Sequence, residues 1–241
     1  APKLCPVTLE LGGKNPNIIM SDADLEIAIP GVIDGMRYTR QGQACTAGSR
    51  VYINEKIYDK VLEGVVEKLS KLKMGNALDE TSDIGAIISE EQLKRTLYYM
   101  DLAKENSSTK ILHGGNQSKG GEYKDGFFYE PTLLSGLPVS SPVCQEEVFG
   151  PVACAIPFKS FDEVIKSAND TPFGLSAVLW TKDLSRALQF VDEIEAGFVQ
   201  VNQCVAPRAN VSYGGIKMSG LGKEYAFDSM MNHFTQSKTV L

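Results

Sequence analysis

The chain has 241 residues, 43% of them hydrophobic and 22% charged, with a formal net charge of -6 and a pI near 5.1. This composition supports a packed core, and the acidic balance without basic runs argues against nucleic acid or an anionic membrane as a partner. No apolar run approaches the roughly 18 residues of a membrane span, and APKLCPVTLE lacks a signal-peptide pattern, which predicts a soluble, cytoplasmic protein.

The first half of the chain alternates strand-like apolar runs with segments of helical periodicity, the pattern of an α/β domain. VTLEL and NIIM are predicted strands on either side of a GGKNP turn. A helix is predicted to begin at Asp22 or Asp24, to be interrupted or kinked at Pro30 and to run towards Gln41. RVYIN is the next predicted strand, and the apolar spacing over 55–73 predicts an amphipathic helix.

The second half continues this alternation. Ser89 is predicted to begin a helix that reaches about Lys104. Predicted helices at 161–169 and 184–194 separate the last three of five predicted strands, which are TKILHGG, FFYEPTLL, VACAIPF, SAVLW and GFVQVN. Buried strands joined by helices favour a mostly parallel sheet flanked by helices.

Histidine and cysteine usage limits the possible chemistry. The two histidines, His113 and His233, lie in contexts unsuited to a metal site or a Cys-His dyad, so we expect no metal and a carboxylate as the base. The five cysteines are scattered and include no C-x-x-C pair, which favours free thiols in a reducing compartment. Four of them are interpreted as small buried hydrophobes: Cys5, Cys144, Cys154 and Cys204.

GQACTAGSR, residues 42–50, sets Cys45 among small residues. A nucleophilic cysteine reacts as its thiolate, and it needs access, room for a carbonyl and donors for the oxyanion that forms. The small neighbours leave the backbone open, so the amide of Cys45 itself is available to a substrate oxygen. The alternative is that Cys45 is one more small buried hydrophobe.

Two acidic motifs offer a base and a ribose ligand. Glu10 in LELGGKNP lies between leucines, where an apolar setting raises a carboxyl pKa towards the range of a general base for water. In EEVFGP, two acids precede an aromatic residue and a turn, and acids bind ribose hydroxyls in nucleotide sites. The alternatives are a solvated strand face for Glu10 and solvated loop acids for EEVFGP.

LELGGKNP, GQACTAGSR, EEVFGPV, GFVQVN and GGIKMSG occur in this order, and together they resemble the aldehyde dehydrogenase superfamily over essentially the whole chain. The resemblance implies the α/β catalytic domain of an NAD(P)-dependent enzyme. Cys45 matches the thiol that attacks the aldehyde, giving a thiohemiacetal and, after hydride passes to NAD or NADP, a thioester. Glu10 matches the glutamate that activates water to hydrolyse the thioester, which favours release of a free acid.

The same resemblance implies further contacts. Glu147 matches the residue that holds the nicotinamide-side ribose, Phe149 the aromatic beside it, and Leu11 a position whose carbonyl faces the nicotinamide amide. Gln92 and Arg95 fall where the family has additional cofactor contacts.

The last motif departs from the family pattern, because Ser212-Tyr213 stands where Pro-Phe is usual. The Phe position borders the aldehyde tunnel, so Tyr213 is predicted to bind substrate and to add a hydroxyl to the tunnel wall. Replacing Tyr213 by Phe is therefore predicted to shift relative kcat/KM between polar and apolar aldehydes.

The resemblance also divides the chain. Residues 1–12 match the end of a cofactor domain and a linker with the catalytic base, 13–218 the catalytic domain, 219–232 a segment returning to the cofactor domain, and 233–241 the start of an oligomerisation strand. We expect three partners: a small aldehyde, a missing N-terminal cofactor domain, and further copies in a homodimer or tetramer. The chain alone is expected to be inactive. A cofactor-independent thiol esterase and a non-catalytic assembly module remain the alternatives.

Overall fold

The computed structural model describes residue 4, residues 6–205 and residues 207–241, so the interpretation of Cys5 lies outside the described part of the chain. The strands in these ranges are β1 (Leu9–Glu10), β2 (Pro16–Ile19), β3 (Arg50–Asn54), β4 (Lys110–His113), β5 (Thr132–Ser135), β6 (Val152–Phe158), β7 (Phe173–Gly174), β8 (Ser176–Trp180), β9 (Phe198–Val201), β10 (Ile216–Lys217) and β11 (Gly220–Leu221). The α-helices are α1 (Leu25–Gly35), α2 (Tyr58–Leu69), α3 (Glu90–Glu105), α4 (Pro142–Gln145), α5 (Phe161–Asn169), α6 (Leu184–Glu193) and α7 (Phe227–Phe234).

Seven of these strands form one sheet in the order β4-β5-β6-β3-β2-β8-β9. The β4-β5 pair is antiparallel, and every other neighbouring pair in this sheet is parallel. The predicted α/β fold with a mostly parallel sheet is therefore confirmed. Strands β1 and β11 pair with each other outside this sheet, as do β7 and β10.

Both faces of the sheet are covered by helices, so alternate side chains of one strand enter different cores. On β3, Val51 and Ile53 pack with α1 and α2, whereas Tyr52 packs with the cluster that includes α3, α5 and α6. The same alternation separates Ala153 from Cys154 on β6. Burial on both faces explains why these strands are apolar almost throughout.

Trp180, at the end of β8, fixes α1 against the sheet. Its indole Nε1 donates a hydrogen bond of 2.7 Å to Asn17 Oδ1 on β2, and the side chain is buried. The six-membered ring lies against Gly31 of α1, where an added Cβ would overlap it. The glycine thus permits the close approach of helix and sheet.

Helix α1 is shorter than predicted. Asp24 caps it by accepting a backbone N–H at 3.1 Å, and Pro30 lies within the helix. The helix ends at Gly35, and Arg37 then adopts a left-handed φ of 58°, which prevents continuation to Gln41.

The direction of the parallel strands determines where three loops meet. Segments 10–15, 42–49 and 147–151 lead into β2, β3 and β6, which are neighbours in the sheet. All three segments therefore lie at the edge formed by the amino ends of these strands, and they carry the motifs of Glu10, Cys45 and Glu147.

Candidate active site

Asn15 joins the segment that carries Glu10 to the loop that carries Cys45. Its side-chain amide donates to the carbonyl oxygens of Cys45, at 2.7 Å, and Ala47, at 2.9 Å. Its Oδ1 accepts from the amide of Ser176, at 2.9 Å. These three hydrogen bonds hold the cysteine loop at the amino ends of β2 and β8. Asn15 is the asparagine of the GGKNP turn, and no predicted site residue corresponds to it.

Cys45 lies in a turn and is half-buried, and its Sγ is 3.7 Å from the hydroxyl oxygen of Tyr213. Cys144 and Cys154 are fully buried in the core, as the hydrophobe interpretation requires. Cys204 is half-buried against Gly35, and burial raises the pKa of its thiol. Among the described cysteines, Cys45 is the one whose sulfur contacts another candidate site residue.

Tyr213 is held rigidly beside this sulfur. Its ring makes edge-to-face contacts with Phe198, at a centroid distance of 5.4 Å, and with Tyr225, at 5.6 Å. Its backbone exchanges two hydrogen bonds with Glu224, of 3.0 and 2.7 Å. Burial, followed by the charge of the neighbouring Cys45 thiolate, raises the pKa of Tyr213 far above its ordinary value, so the phenol stays protonated.

Glu10 lies on β1 and is exposed, opposite Gly220 of β11. Partial desolvation raises its pKa, and the negative charge of Glu224 raises it further. The Glu10 charge in turn contributes to the raised pKa of Tyr213. Across the described ranges, no hydrogen bond joins Glu10 directly to Cys45.

Glu147 is half-buried beside the double glycine. Its Oε1 accepts the amide N–H of Gly13 at 3.1 Å, and an added Cβ at Gly12 would lie 2.6 Å from Oε2. Burial raises the pKa of Glu147, while the Gly13 hydrogen bond and the charge of Arg95 act in the opposite direction. Within the described chain Oε2 receives no hydrogen bond, so it is available to a ligand.

Two side chains of α3 hold the backbone of the Glu147 loop. The Gln92 amide donates to the carbonyl oxygens of Val148, at 3.0 Å, and Phe149, at 2.8 Å. Arg95 donates to the carbonyl oxygen of Glu147 at 2.5 Å. Phe149 has a left-handed φ of 56°, an unfavourable conformation that these bonds help to maintain. The Gln92 amide thus contacts the loop, whereas Arg95 contacts the loop and also donates to the hydroxyl of Tyr99 at 3.3 Å.

Leu11 lies between the base segment and the last motif. Its amide donates to the carbonyl oxygen of Ser219 at 3.0 Å, and its side chain is exposed. No donor in the described residues reaches its carbonyl oxygen, the atom that the resemblance assigns to the nicotinamide amide.

Arg50, the last residue of GQACTAGSR, anchors the start of β3 and is completely buried. Its guanidinium donates to the carbonyl oxygens of Lys14, at 2.9 Å, and Ala168, at 2.8 Å, and to the hydroxyl of Tyr52, at 3.2 Å. Burial lowers the pKa of both Arg50 and Lys14. The buried arginine joins the cysteine motif to the segment that carries Glu10. The sequence alone does not predict this role, because the partners of Arg50 are brought to it by the fold.

His113 lies apart from this cluster, with Nδ1 2.8 Å from the carbonyl oxygen of Pro131, whereas His233 Nε2 is 2.7 Å from Oγ1 of Thr8, two residues before Glu10. The described residues contain no group of three or more His, Cys, Asp or Glu side chains arranged for a metal ion. They also contain no helix with the length and apolarity that crossing a membrane requires.

Comparison with known proteins gives consistent matches. A sequence model of the aldehyde dehydrogenase family matches residues 1–240. An aldehyde dehydrogenase of Deinococcus radiodurans is 40% identical over 247 residues, covering 100% of this chain and 47% of that protein. A betaine aldehyde dehydrogenase of Brucella melitensis is 38% identical over 234 residues, covering 97% of this chain and 47% of that protein.

The fold is similar to a crystal structure of betaine aldehyde dehydrogenase from Staphylococcus aureus in complex with NAD+. The TM-score is 0.90 at 36% identity, and the match covers 94% of this chain and 44% of that one. This chain therefore spans about half the length of the curated relatives it matches.

Proposed function

Because this chain belongs to the aldehyde dehydrogenase family, we propose that it carries the catalytic half of an enzyme that oxidises an aldehyde to a carboxylic acid with NAD+ or NADP+. The observation that carries this proposal is the convergence of Cys45, Glu10 and Glu147 at one edge of the sheet, with Asn15 joining two of their three loops.

The Cys45 sulfur attacks the carbonyl carbon of the aldehyde. A C–S bond forms, the carbonyl π pair moves to oxygen, and the product is a thiohemiacetal. When bound, NAD(P)+ accepts the hydride that leaves this carbon as the thioester forms. Asn15 supports the attack by fixing the backbone at Cys45 and at Ala47, two residues further on.

Glu10 then acts on water. Its carboxylate accepts a proton while the water oxygen attacks the thioester carbon, and the C–S bond breaks to give the acid and the Cys45 thiolate. The raised pKa of Glu10 supports this role, because a base that must accept and later release a proton works best nearer the ambient pH. The exposed position of Glu10 leaves room for a water molecule between it and the thioester.

The residues around Glu147 fit the ribose of a nicotinamide cofactor. One carboxylate oxygen is fixed by Gly13, the other is open, and the missing Cβ at Gly12 leaves a ligand access to that oxygen. Phe149 follows Glu147 by two residues, and Leu11 directly precedes Gly12. The Phe149 side chain and the Leu11 carbonyl would complete the contacts to the nicotinamide side.

The rest of the cofactor site is proposed to lie in a domain outside this chain. The proposal of a partner domain is supported by an exposed apolar surface. We call it the terminal surface, and it consists of Leu9, Leu221, Phe227, Met230 and Phe234. Leu9 and Leu221 are cross-strand neighbours, and the His233–Thr8 contact joins α7 to the segment that enters β1. Residues 233–241, of which His233 and Phe234 end α7, are proposed to lead into an oligomerisation strand in a homodimer or tetramer.

The test is the formation of NAD(P)H from a panel of aldehydes by the complete protein that contains this chain. Cys45→Ala is expected to lower kcat by about 10³-fold or more, because it removes the nucleophile. Cys204→Ala is the matched control, since it changes another half-buried thiol that lies against α1, and it is expected to retain activity. Undiminished turnover by Cys45→Ala would exclude the mechanism. Ester hydrolysis that needs Cys45 but no cofactor, without aldehyde oxidation, would favour the thiol esterase.

A further inference from the structure

The hydroxyl of Tyr213 points at the atom that reacts. It lies 3.7 Å from Cys45 Sγ, within the longer range of hydrogen bonds to sulfur. The two residues are 168 positions apart in sequence, so the contact depends on the fold and not on local geometry. Tyr213 is almost fully buried, and Cys45 is half-buried.

The phenol has little freedom to turn away. Phe198 on β9 and Tyr225 contact its ring edge-to-face, and the paired hydrogen bonds to Glu224 hold its backbone. Because the ring is fixed, its hydroxyl reaches the sulfur without further loss of side-chain entropy.

Either atom can be the donor while Cys45 is a neutral thiol, whereas the reactive thiolate leaves one direction for the hydrogen bond. A thiolate has no proton to donate and can only accept. The buried phenol has a raised pKa and keeps its proton, so it is the donor. A donor at a thiolate stabilises the charged form over the neutral thiol.

We infer that Tyr213 is a catalytic residue whose hydroxyl donates a hydrogen bond to the Cys45 thiolate and raises its abundance at neutral pH. This role rests on the proposed function of Cys45 as the nucleophile. This role differs from the sequence-based prediction, in which the Tyr213 hydroxyl lines the aldehyde tunnel. A hydroxyl facing the aldehyde tunnel would change the ratio of rates between polar and apolar aldehydes, whereas a hydroxyl bound to the sulfur changes the rates of all aldehydes by a similar factor.

The test follows alkylation of Cys45 by iodoacetamide between pH 6 and 10 in the complete protein, with the modified peptide quantified by mass spectrometry. In Tyr213→Phe we expect a rate about threefold lower at pH 7 and equal or higher at pH 10, because the less stabilised thiolate is scarcer but more nucleophilic. The two profiles therefore cross. A steric change alone would move the rate in one direction at every pH.

Tyr225→Phe is the matched control. It removes the hydroxyl of a neighbouring aromatic ring that touches Tyr213 and makes no hydrogen bond through that hydroxyl within the described residues. We expect its alkylation profile to follow the unmodified protein. Thermal unfolding of both variants checks that the fold is retained.

The outcome separates this inference from the proposed function, since alkylation requires neither aldehyde nor cofactor. Crossing profiles support the hydrogen bond even in a protein that forms no NAD(P)H. If aldehyde oxidation depends on Cys45 but Tyr213→Phe is alkylated like the unmodified protein at pH 7, the inference is overturned and the proposed function stands. A change in aldehyde preference with no change in alkylation would return Tyr213 to the tunnel wall.

Discussion

At the residue scale, Glu10 and Tyr213 are linked through Glu224. The Glu224 backbone pairs with Tyr213, while its carboxylate raises the pKa of Glu10. Glu224 thus holds Tyr213 in place through main-chain hydrogen bonds, and it tunes the pKa of Glu10 through its charge. The two effects can be separated by a side-chain substitution, because it leaves the backbone pairing in place.

Glu224→Gln is predicted to shift the acidic limb of the pH–kcat profile to lower pH, where hydrolysis of the thioester limits turnover. Glu10 acts as a base only when deprotonated, so activity falls as the pH drops through its raised pKa. Removing the repelling charge lowers that pKa and extends activity downwards. Asp228→Asn, which removes an exposed charge on α7, is the control and should leave the limb unchanged. An upward shift in Glu224→Gln would contradict this coupling.

The individual site residues differ in how far sequence could predict them. Glu10, Cys45 and Glu147 stand in compact motifs whose spacing is visible along the chain. The partners that hold them are distant in sequence: Tyr213 reaches Cys45 across 168 positions, and Arg95 reaches Glu147 across 52. Periodicity carries no information about such contacts, because they arise only when the strands assemble.

At the element scale, long strands and helices could be predicted from sequence periodicity better than short ones. The bounds of β3, β6, β8 and α5 coincide with the predicted runs, since each has several buried side chains with a regular period. The two-residue strands β7, β10 and β11 have too few residues to show a period, and pairing with other segments defines them. Of the predicted strand VTLEL, only Leu9–Glu10 pairs as β1. Helix α7 contains no buried residue among its described side chains, so nothing in the core determines its position.

Two helical glycines give a matched test of helix packing. Gly31→Ala is predicted to lower the free energy of unfolding by about 1–3 kcal/mol, because the new methyl group overlaps the rigid, buried ring of Trp180. Gly64→Ala on α2 should cost less or stabilise, since its Cβ meets the flexible end of Ile29 at 2.6 Å and alanine favours the helix by about 1 kcal/mol. Thermal and urea unfolding followed by circular dichroism measures both. Equal losses of unfolding free energy in the two variants would contradict the prediction that the Trp180 contact restricts the residue at position 31.

At the scale of the whole molecule, exposed apolar side chains are frequent in the first and last segments of the described chain. Phe227, Met230 and Phe234 follow the i, i+3, i+7 spacing of one helix face, and all three are exposed. Exposed patches of this kind mark sites of contact with other protein surfaces. The terminal surface lies beside β1, and therefore beside the segment that carries Glu10, so a partner domain docked there would also border the catalytic edge.

The 241-residue chain on its own is predicted to self-associate through the terminal surface, with a mass above 26.2 kDa that rises with concentration in size-exclusion chromatography with light scattering. The double change Phe227→Ser and Phe234→Ser should weaken this association about tenfold or more, because it removes two large apolar side chains. Leu78→Ser with Ile88→Ser, two exposed residues in other loops, is the control. A monomer at all concentrations would contradict the prediction.

Trp180 has an additional consequence for experiments on this chain, which contains one tryptophan. Its indole is buried, bonded to Asn17 and in contact with Gly31, so its fluorescence reports on a single junction between α1, β2 and β8. The emission should be blue-shifted while α1 is seated and should move towards longer wavelength when that helix detaches. An intrinsic optical signal for one helix is thus available without any added label.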